Sequence, residues 1–247
     1  MPSTLLISDL DGTWLPAPER TVDLQRLESA VAAAPALHLA FATGRALGPA
    51  LEALKAVGSQ GPRTFVTDVG CALHHPDGAG GWREDADYRA AVERRWDPEA
   101  AARVMTRLPE GIRPQPGPAP QRRLALQVAP GFDPVERAAP LAEVLREEGL
   151  EARILPSHGF YLDVLPRGVD KGFAVRYLRD LLGIGHVVSC GDSENDLDLF
   201  RASDIALLMP GHHLEDGHLV DLSPNPIRCA EPGPDGIFLE LKRLGHL

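Results

Sequence analysis

At 247 residues the chain exceeds the ~150 of an average domain, enough for one large domain carrying a smaller insert and for a sizeable buried core. Its 35 acidic against 25 basic side chains give a net charge of -10, which argues against a nucleic-acid backbone or an anionic membrane surface as partner. Hydrophobic residues at 44% with 24% charged exclude a disordered chain.

Cys71, Cys190 and Cys229 are scattered and form no C-x-x-C pair, so a disulfide framework or a structural zinc site is not expected and a reducing compartment is. No basic leader opens the sequence, and the longest small-and-apolar stretch, 30–42, holds Pro35 and His38. These features predict a soluble, cytoplasmic protein.

In chain order, short apolar runs alternate with amphipathic stretches, the pattern of β-α units in a parallel sheet. Strands are expected at 5–8, 37–42 and 63–67, and helices at 22–34 and 46–57. A loop rich in Gly and His is expected over 74–81. From Trp82 to about Leu165 the texture changes to an Arg- and Pro-rich one, with nine arginines between Arg83 and Arg123. This stretch reads as a separate α+β module. Asp97-Pro98 and Asp133-Pro134 each place an N-cap before a proline at the first helical position. Leu124, Leu126 and Val128, then Phe160, Leu162 and Val164, alternate with the positions between them as half-buried strands with one polar face do. After Pro166 the first texture returns, with helices expected at 171–182 and 194–202 and strands at 186–190 and 204–209. The fold class expected is α/β: a Rossmann-like parallel-sheet core from residues 1–82 and 166–247, interrupted by an α+β cap from 83–165.

Asp9 and Asp11 follow the first strand as Asp9-Leu-Asp11-Gly-Thr13. The two-residue period puts both carboxylates on one side of the chain at a strand's carboxyl end, where open α/β sheets bind ligands. Gly191-Asp192-Ser-Glu-Asn195-Asp196 follows another apolar run in the same strand-to-loop-to-helix context. If the two strands are neighbours, several carboxylates converge, and their mutual repulsion calls for a cation. Few hard oxygen ligands suit magnesium that also holds a phosphate. A calcium loop is excluded by spacing: its sixth and twelfth positions, Gly and Glu, fall on Trp14 and Arg20 counted from Asp9, and on Leu197 and Ser203 counted from Asp192. Either motif alone is equally a set of helix caps and turn formers.

Thr43-Gly44-Arg45 ends the second strand and is read as opening a helix, where a hydroxyl and free N-H groups make an anion site. Lys171-Gly172 opens another helix, a place where the dipole disfavours a cation. Only Lys55, Lys171 and Lys242 are lysines, so this one stands out as a point charge for a phosphate.

The succession D-x-D-G-T, T-G-R, K-G and G-D-x-x-x-D, each at a strand end or helix start, resembles the motif set of the haloacid dehalogenase-like phosphohydrolases. The resemblance implies Asp9 as the nucleophile that forms an aspartyl-phosphate and Asp11 as general acid and then base. It implies Thr43, Gly44, Lys171 and Asn195 as phosphate-binding residues. Magnesium would be held by Asp9, Asp192 and the Asp11 carbonyl, with Asp196 as a further ligand or a carboxylate behind them. Asp11 would need to hold a proton among crowded carboxylates.

Closer similarity is to the sucrose-phosphate phosphatases and related sugar phosphatases, carried by Asp9-Leu-Asp-Gly-Thr-Trp14, Thr67-Asp-Val-Gly70, Arg95-Trp-Asp97, Asp163-Val-Leu-Pro166 and Glu231-Pro-Gly-Pro-Asp-Gly236. It implies a magnesium-dependent phosphatase acting on sucrose phosphate or a related sugar phosphate. A phosphosugar mutase of the same superfamily and a catalytically idle sugar-phosphate-binding or regulatory protein are the competing readings. Periodicity offers Arg123, Gln127, Tyr161 and Asp163 on a polar cap face as sugar contacts, with Arg45 beside them. A plain solvated sheet face is the alternative. His74, His75, His212, His213 and His218 are expected in solvated loops, and Trp82 and Trp96 in packing.

Overall fold

The computed structural model describes residues 3–15, 21–214, 216–220, 222 and 225–247. Among them the strands form two sheets. The larger runs in the order β12 (Ile227–Arg228), β11 (Ile205–Leu208), β10 (His186–Gly191), β1 (Thr4–Ser8), β2 (Leu37–Ala42), β3 (Thr64–Thr67), β4 (Ala72–Pro76) and β5 (Trp82–Glu84). It is parallel from β12 to β3, and β4 and β5 complete it antiparallel.

Both faces of this sheet are covered, which is why its strands read as unbroken apolar runs. Leu5 and Ile7 of β1 point into a cluster with Ala40, Val66 and Val187, while Leu6 points the other way to Phe41, Phe65 and Val188. On the first side lies α6 (Lys171–Leu182), through Ala174, Val175 and Leu178. On the second lie α1 (Thr21–Ala33), α2 (Leu47–Ala56) and α8 (Gly233–Arg243).

The smaller sheet is antiparallel, in the order β6 (Ile112–Pro114), β7 (Leu124–Val128), β9 (Tyr161–Pro166), β8 (Ala152–Ser157). Its apolar face packs on α4 (Pro98–Met105) and α5 (Pro134–Glu147) in a cluster that includes Trp96, Val104, Leu126, Leu141 and Val164. Asp97 and Asp133 cap these two helices as expected, each accepting from two backbone N-H groups ahead of it.

Several expectations are corrected. Residues 74–81 are not one loop: β4 and β5 pair as a hairpin with His74 opposite Glu84, and Gly78 and Gly80 take positive φ in the turn. His74 and His75 are therefore strand residues, their rings bonded to Thr67 and Asp85. α3 (Ala86–Glu93) buries Tyr88 and Val92 in the cluster of Leu5 and Ile7, so the chain leaves the large sheet about one helix after residue 83. The segment 194–202 is a tight turn over Glu194–Asp196 followed by α7 (Leu197–Arg201). The helix after Thr43 begins only at Leu47, with Ala46 as its cap position. Among the described residues, no helix is long and apolar enough to cross a membrane.

Candidate active site

β1 lies between β2 and β10, with Ser8 level with Phe41 on one side and Cys190 on the other. The carboxyl ends of three strands thus meet, as the fold's ligand-binding edge requires. Asp9 continues β1 by donating its N-H to the Cys190 carbonyl at 2.9 Å. The chain then turns through Leu10–Trp14, where Gly12 has φ 74°. A Cβ there would sit 2.3 Å from Oδ2 of Asp192, so only glycine lets this turn pass the second acidic loop.

Asp9, Asp192 and Asp196 are buried and each offers a carboxylate oxygen within 4.8 Å of the others. Lys171, fully buried at the start of α6, donates from Nζ to Oδ1 of Asp9 at 2.6 Å and to Oδ1 of Asp196 at 2.7 Å. Burial opposes its charge, but the Asp196 and Asp9 carboxylates outweigh that and hold its pKa above the ordinary lysine value. For Asp9, burial is the largest influence and pushes the carboxyl up; Lys171 pulls it down, and Asp196 and Asp192 push it up again, leaving it raised. Burial, and then Asp196, push Asp192 up to about 7. Three carboxylates against one ammonium leave an excess of negative charge that a divalent cation would neutralise.

The donor set fits such a cation. Oδ1 of Asp192, one of the three clustered acids, is buried with no hydrogen-bond partner, an orphaned acceptor. Asp196 is spent differently: its Oδ2 accepts from the N-H groups of Asp192 at 3.0 Å and Ser193 at 3.1 Å. It therefore holds the Asp192 loop in shape, behind the open acceptors of Asp9 and Asp192. Asn195 is buried in the same loop with its own Oδ1 unpartnered.

Thr43 is buried one residue past β2, and its hydroxyl accepts from the Arg45 N-H at 3.1 Å, closing a local turn rather than capping a helix. Gly44 follows, its carbonyl taken by Arg123 at 3.0 Å. Asp11 does not point into the carboxylate cluster. Arg45 grips it at both oxygens, at 2.8 and 2.6 Å, while its charge still reaches Asp192.

The polar face of the smaller sheet is turned onto the large one, not onto solvent. Arg123 and Asp163 are buried, 6% and 5% exposed, and paired with each other. Arg123 also reaches Asp68. Gln127 and Tyr161 sit opposite each other on β7 and β9 and stay partly exposed. A cleft of about 490 Å³ opens between the sheets beside Gly44 and Arg45, bounded by His74, Gln115, Gln121 and Arg122. Sequence reasoning missed His158, at the β8–β9 turn with φ 53°, whose backbone N-H donates to Glu194 at 3.2 Å and whose ring meets Tyr161 edge-on and His213 at a tilt. The only signal was Gly159 after it, in the three-residue loop 158–160 between the paired Ser157 and Tyr161.

Residues 2–233 match the family model of sucrose-6F-phosphate phosphohydrolase. A probable sucrose-phosphatase 3a of Arabidopsis thaliana is 29% identical over 87% of the chain, which spans 52% of that longer protein. A mannosylfructose-phosphate phosphatase of Agrobacterium fabrum is 28% identical over 99% of the chain and 98% of its own length. A sucrose-phosphatase of Synechocystis sp. PCC6803, solved with sucrose and phosphate, superposes with a TM-score of 0.85 at 26% identity, covering 98% of both chains. With the acids, the lysine and the fold in one arrangement and a family model spanning nearly all of it, the chain belongs to the sucrose-6F-phosphate phosphohydrolase family.

Proposed function

We propose that the chain is a magnesium-dependent phosphatase that hydrolyses the phosphate monoester of a small sugar, sucrose phosphate or a related glycosidic sugar phosphate. The observation that carries this is the meeting of Asp9, Asp192 and Lys171 at the carboxyl edge of the parallel sheet, with a buried, unpartnered oxygen on Asp192.

Asp9 is assigned as the nucleophile. Lys171 engages its Oδ1, so attack falls to the other oxygen, which bonds to phosphorus as the bond to the sugar oxygen breaks. Asp11 gives its proton to that leaving oxygen, which requires Arg45 to release at least one carboxylate oxygen. Asp11 then takes a proton from water, which attacks phosphorus, frees Asp9 and completes hydrolysis. Lys171, Thr43 and the amides near Gly44 and Asn195 are assigned to the phosphoryl oxygens, where charge spreads in transit. Magnesium would be held by Asp9, Asp192 and the Asp11 carbonyl, with Asp196 behind, and would supply charge neutralisation.

The sugar is placed in the cleft beside Gly44 and Arg45, whose Gln115, Gln121 and Arg122 offer hydrogen-bonding groups. That relatives across the whole chain are named for phosphates of sucrose and mannosylfructose supports a two-ring substrate. Three buried, unpaired cysteines support a reducing, cytoplasmic setting. The test is phosphate release from sucrose phosphate, mannosylfructose phosphate, hexose phosphates and phosphoglycolate, with magnesium and with chelator. Release from a disaccharide phosphate that requires magnesium is expected. Preference for phosphoglycolate, or equal rates in chelator, would overturn the assignment.

A further inference from the structure

The turn Asp68–Gly70 after β3 carries backbone strain that its own residues do not explain. Asp68 and Val69 have φ of 54° and 56°, a region costly for any side chain and most of all for a β-branched one. The surroundings hold it there from four directions. The Asp68 and Val69 N-H groups donate to the carbonyls of Arg45 and Thr43, each at 3.0 Å. Tyr88 donates its hydroxyl to the Gly70 carbonyl at 2.6 Å. A Cβ on Gly70 would lie 2.3 Å from the Asp170 carbonyl oxygen and 2.9 Å from the Lys171 nitrogen, so the turn presses directly on the start of α6.

The fourth hold comes from the smaller sheet. Arg123 donates from Nε and a terminal nitrogen to Oδ1 of Asp68, both at 3.2 Å. The same guanidinium bonds the Gly44 carbonyl at 3.0 Å and the carboxylate of Asp163. Burial disfavours its charge, but Asp163 and Asp68 more than offset this and keep its pKa above the ordinary value. One planar fork thus serves three acceptors, two on the large-sheet side and one on β9, a task a lysine ammonium cannot reproduce in the same geometry.

We propose that Arg123 is a positioning residue for phosphoryl transfer: it ties the smaller sheet to the strained Asp68–Gly70 turn, and that turn sets Thr43, Gly44 and Lys171 in register with one another. Arg123 does not contact the sugar in this assignment, which departs from the expectation drawn from strand periodicity. The inference rests on the phosphatase reading and assigns how its phosphate site is held.

The test compares R123K, D68N and the double variant with wild type on two esters, sucrose phosphate and p-nitrophenyl phosphate, which lacks a sugar. Assays are run below the melting transition of each variant. The expected result is a fall in kcat of about 10–100-fold on both esters with R123K and with D68N. KM should move by less than about 3-fold, and the double variant should be no worse than the poorer single one. Loss confined to the sugar ester and carried in KM would make Arg123 a sugar contact and overturn the proposal. So would full kcat in D68N, or a loss that vanishes once the variant is fully folded. A wild-type protein that hydrolyses neither ester with magnesium would overturn the phosphatase reading itself, and the proposal with it.

Discussion

Arg45 and Asp11 form a two-point ion pair, one guanidinium on both carboxylate oxygens, across the loops that follow β2 and β1. Their side chains are 38% and 44% exposed, so the pair contributes only about 0–1 kcal/mol and opens cheaply when a phosphate ester arrives. Asp11→Asn is therefore expected to leave the melting temperature within about 4 °C of wild type. Its turnover should fall by about 10²–10⁴-fold, the range of a lost general acid. Calorimetry and phosphate release on the same sample check both halves.

Asp9→Asn and Lys171→Met separate chemistry from folding. The asparagine keeps a hydrogen-bond acceptor for Lys171, so it should abolish turnover while the fold persists. The methionine leaves Asp9 and Asp196 buried without their cation, a loss of about 3–5 kcal/mol. We expect a drop in melting temperature of about 6–20 °C for Lys171→Met, partly reversed by magnesium. A melting temperature unchanged from wild type would contradict the charge balance drawn for the cluster.

Magnesium should stabilise the wild-type chain on its own, without substrate. Binding at 100 times Kd adds about 2.7 kcal/mol, a rise of several degrees in melting temperature. Asp192→Asn, which neutralises the unpartnered acceptor, should remove that rise. Gly12→Ala should remove it too, because the new methyl must displace Oδ2 of Asp192 and the backbone there has φ 74°. Titration of each variant with magnesium in a thermal-shift assay gives the comparison.

Acid should weaken the fold through two histidines. Burial first, and then Arg63 and His75, bring His38 down to about 4. Burial, with Arg122 and His75 adding to it against Asp68, brings His74 to about 4 as well. In the unfolded chain both titrate near 6.5. Between pH 6.5 and about 4 the unfolded state thus binds more protons than the folded one, so stability rises with pH across that window and is lost on acidification. Above pH 7 these two groups contribute no slope. The double variant His38→Gln, His74→Gln should melt with a visibly flatter pH dependence between 6.5 and 4.5.

The parts of this molecule that are legible in its sequence are the ones decided locally. Asp97-Pro98 and Asp133-Pro134 announce helix starts because the capping side chain bonds amides two and three residues ahead. Asp9 and Asp192 stand out because each follows an apolar strand, and the pairing of Ser8 with Cys190 brings them together. What is not legible depends on how the two sheets meet. Arg123 and Asp163 sit at polar positions of alternating strands and read as solvent-facing, yet that face is closed by the large sheet. The β4–β5 hairpin hides behind a glycine-rich turn that reads as plain loop. Thr43 reads as a helix cap because it precedes one, but the helix waits until Leu47 while the hydroxyl serves Arg45.

β1 pairs with β10 from Thr4 opposite His186 to Ser8 opposite Cys190. The carboxylate assigned as nucleophile follows β1 and must wait for a strand made some 180 residues later before it has a lysine, a second acidic loop or a complete sheet around it. A ribosome-bound fragment that ends inside the inserted module is therefore expected to be catalytically mute, as is any proteolytic piece that keeps only one flank. On the proposed mechanism, activity would report completed assembly, because Asp9 meets Lys171 and Asp192 only when both flanks of the inserted module are in place.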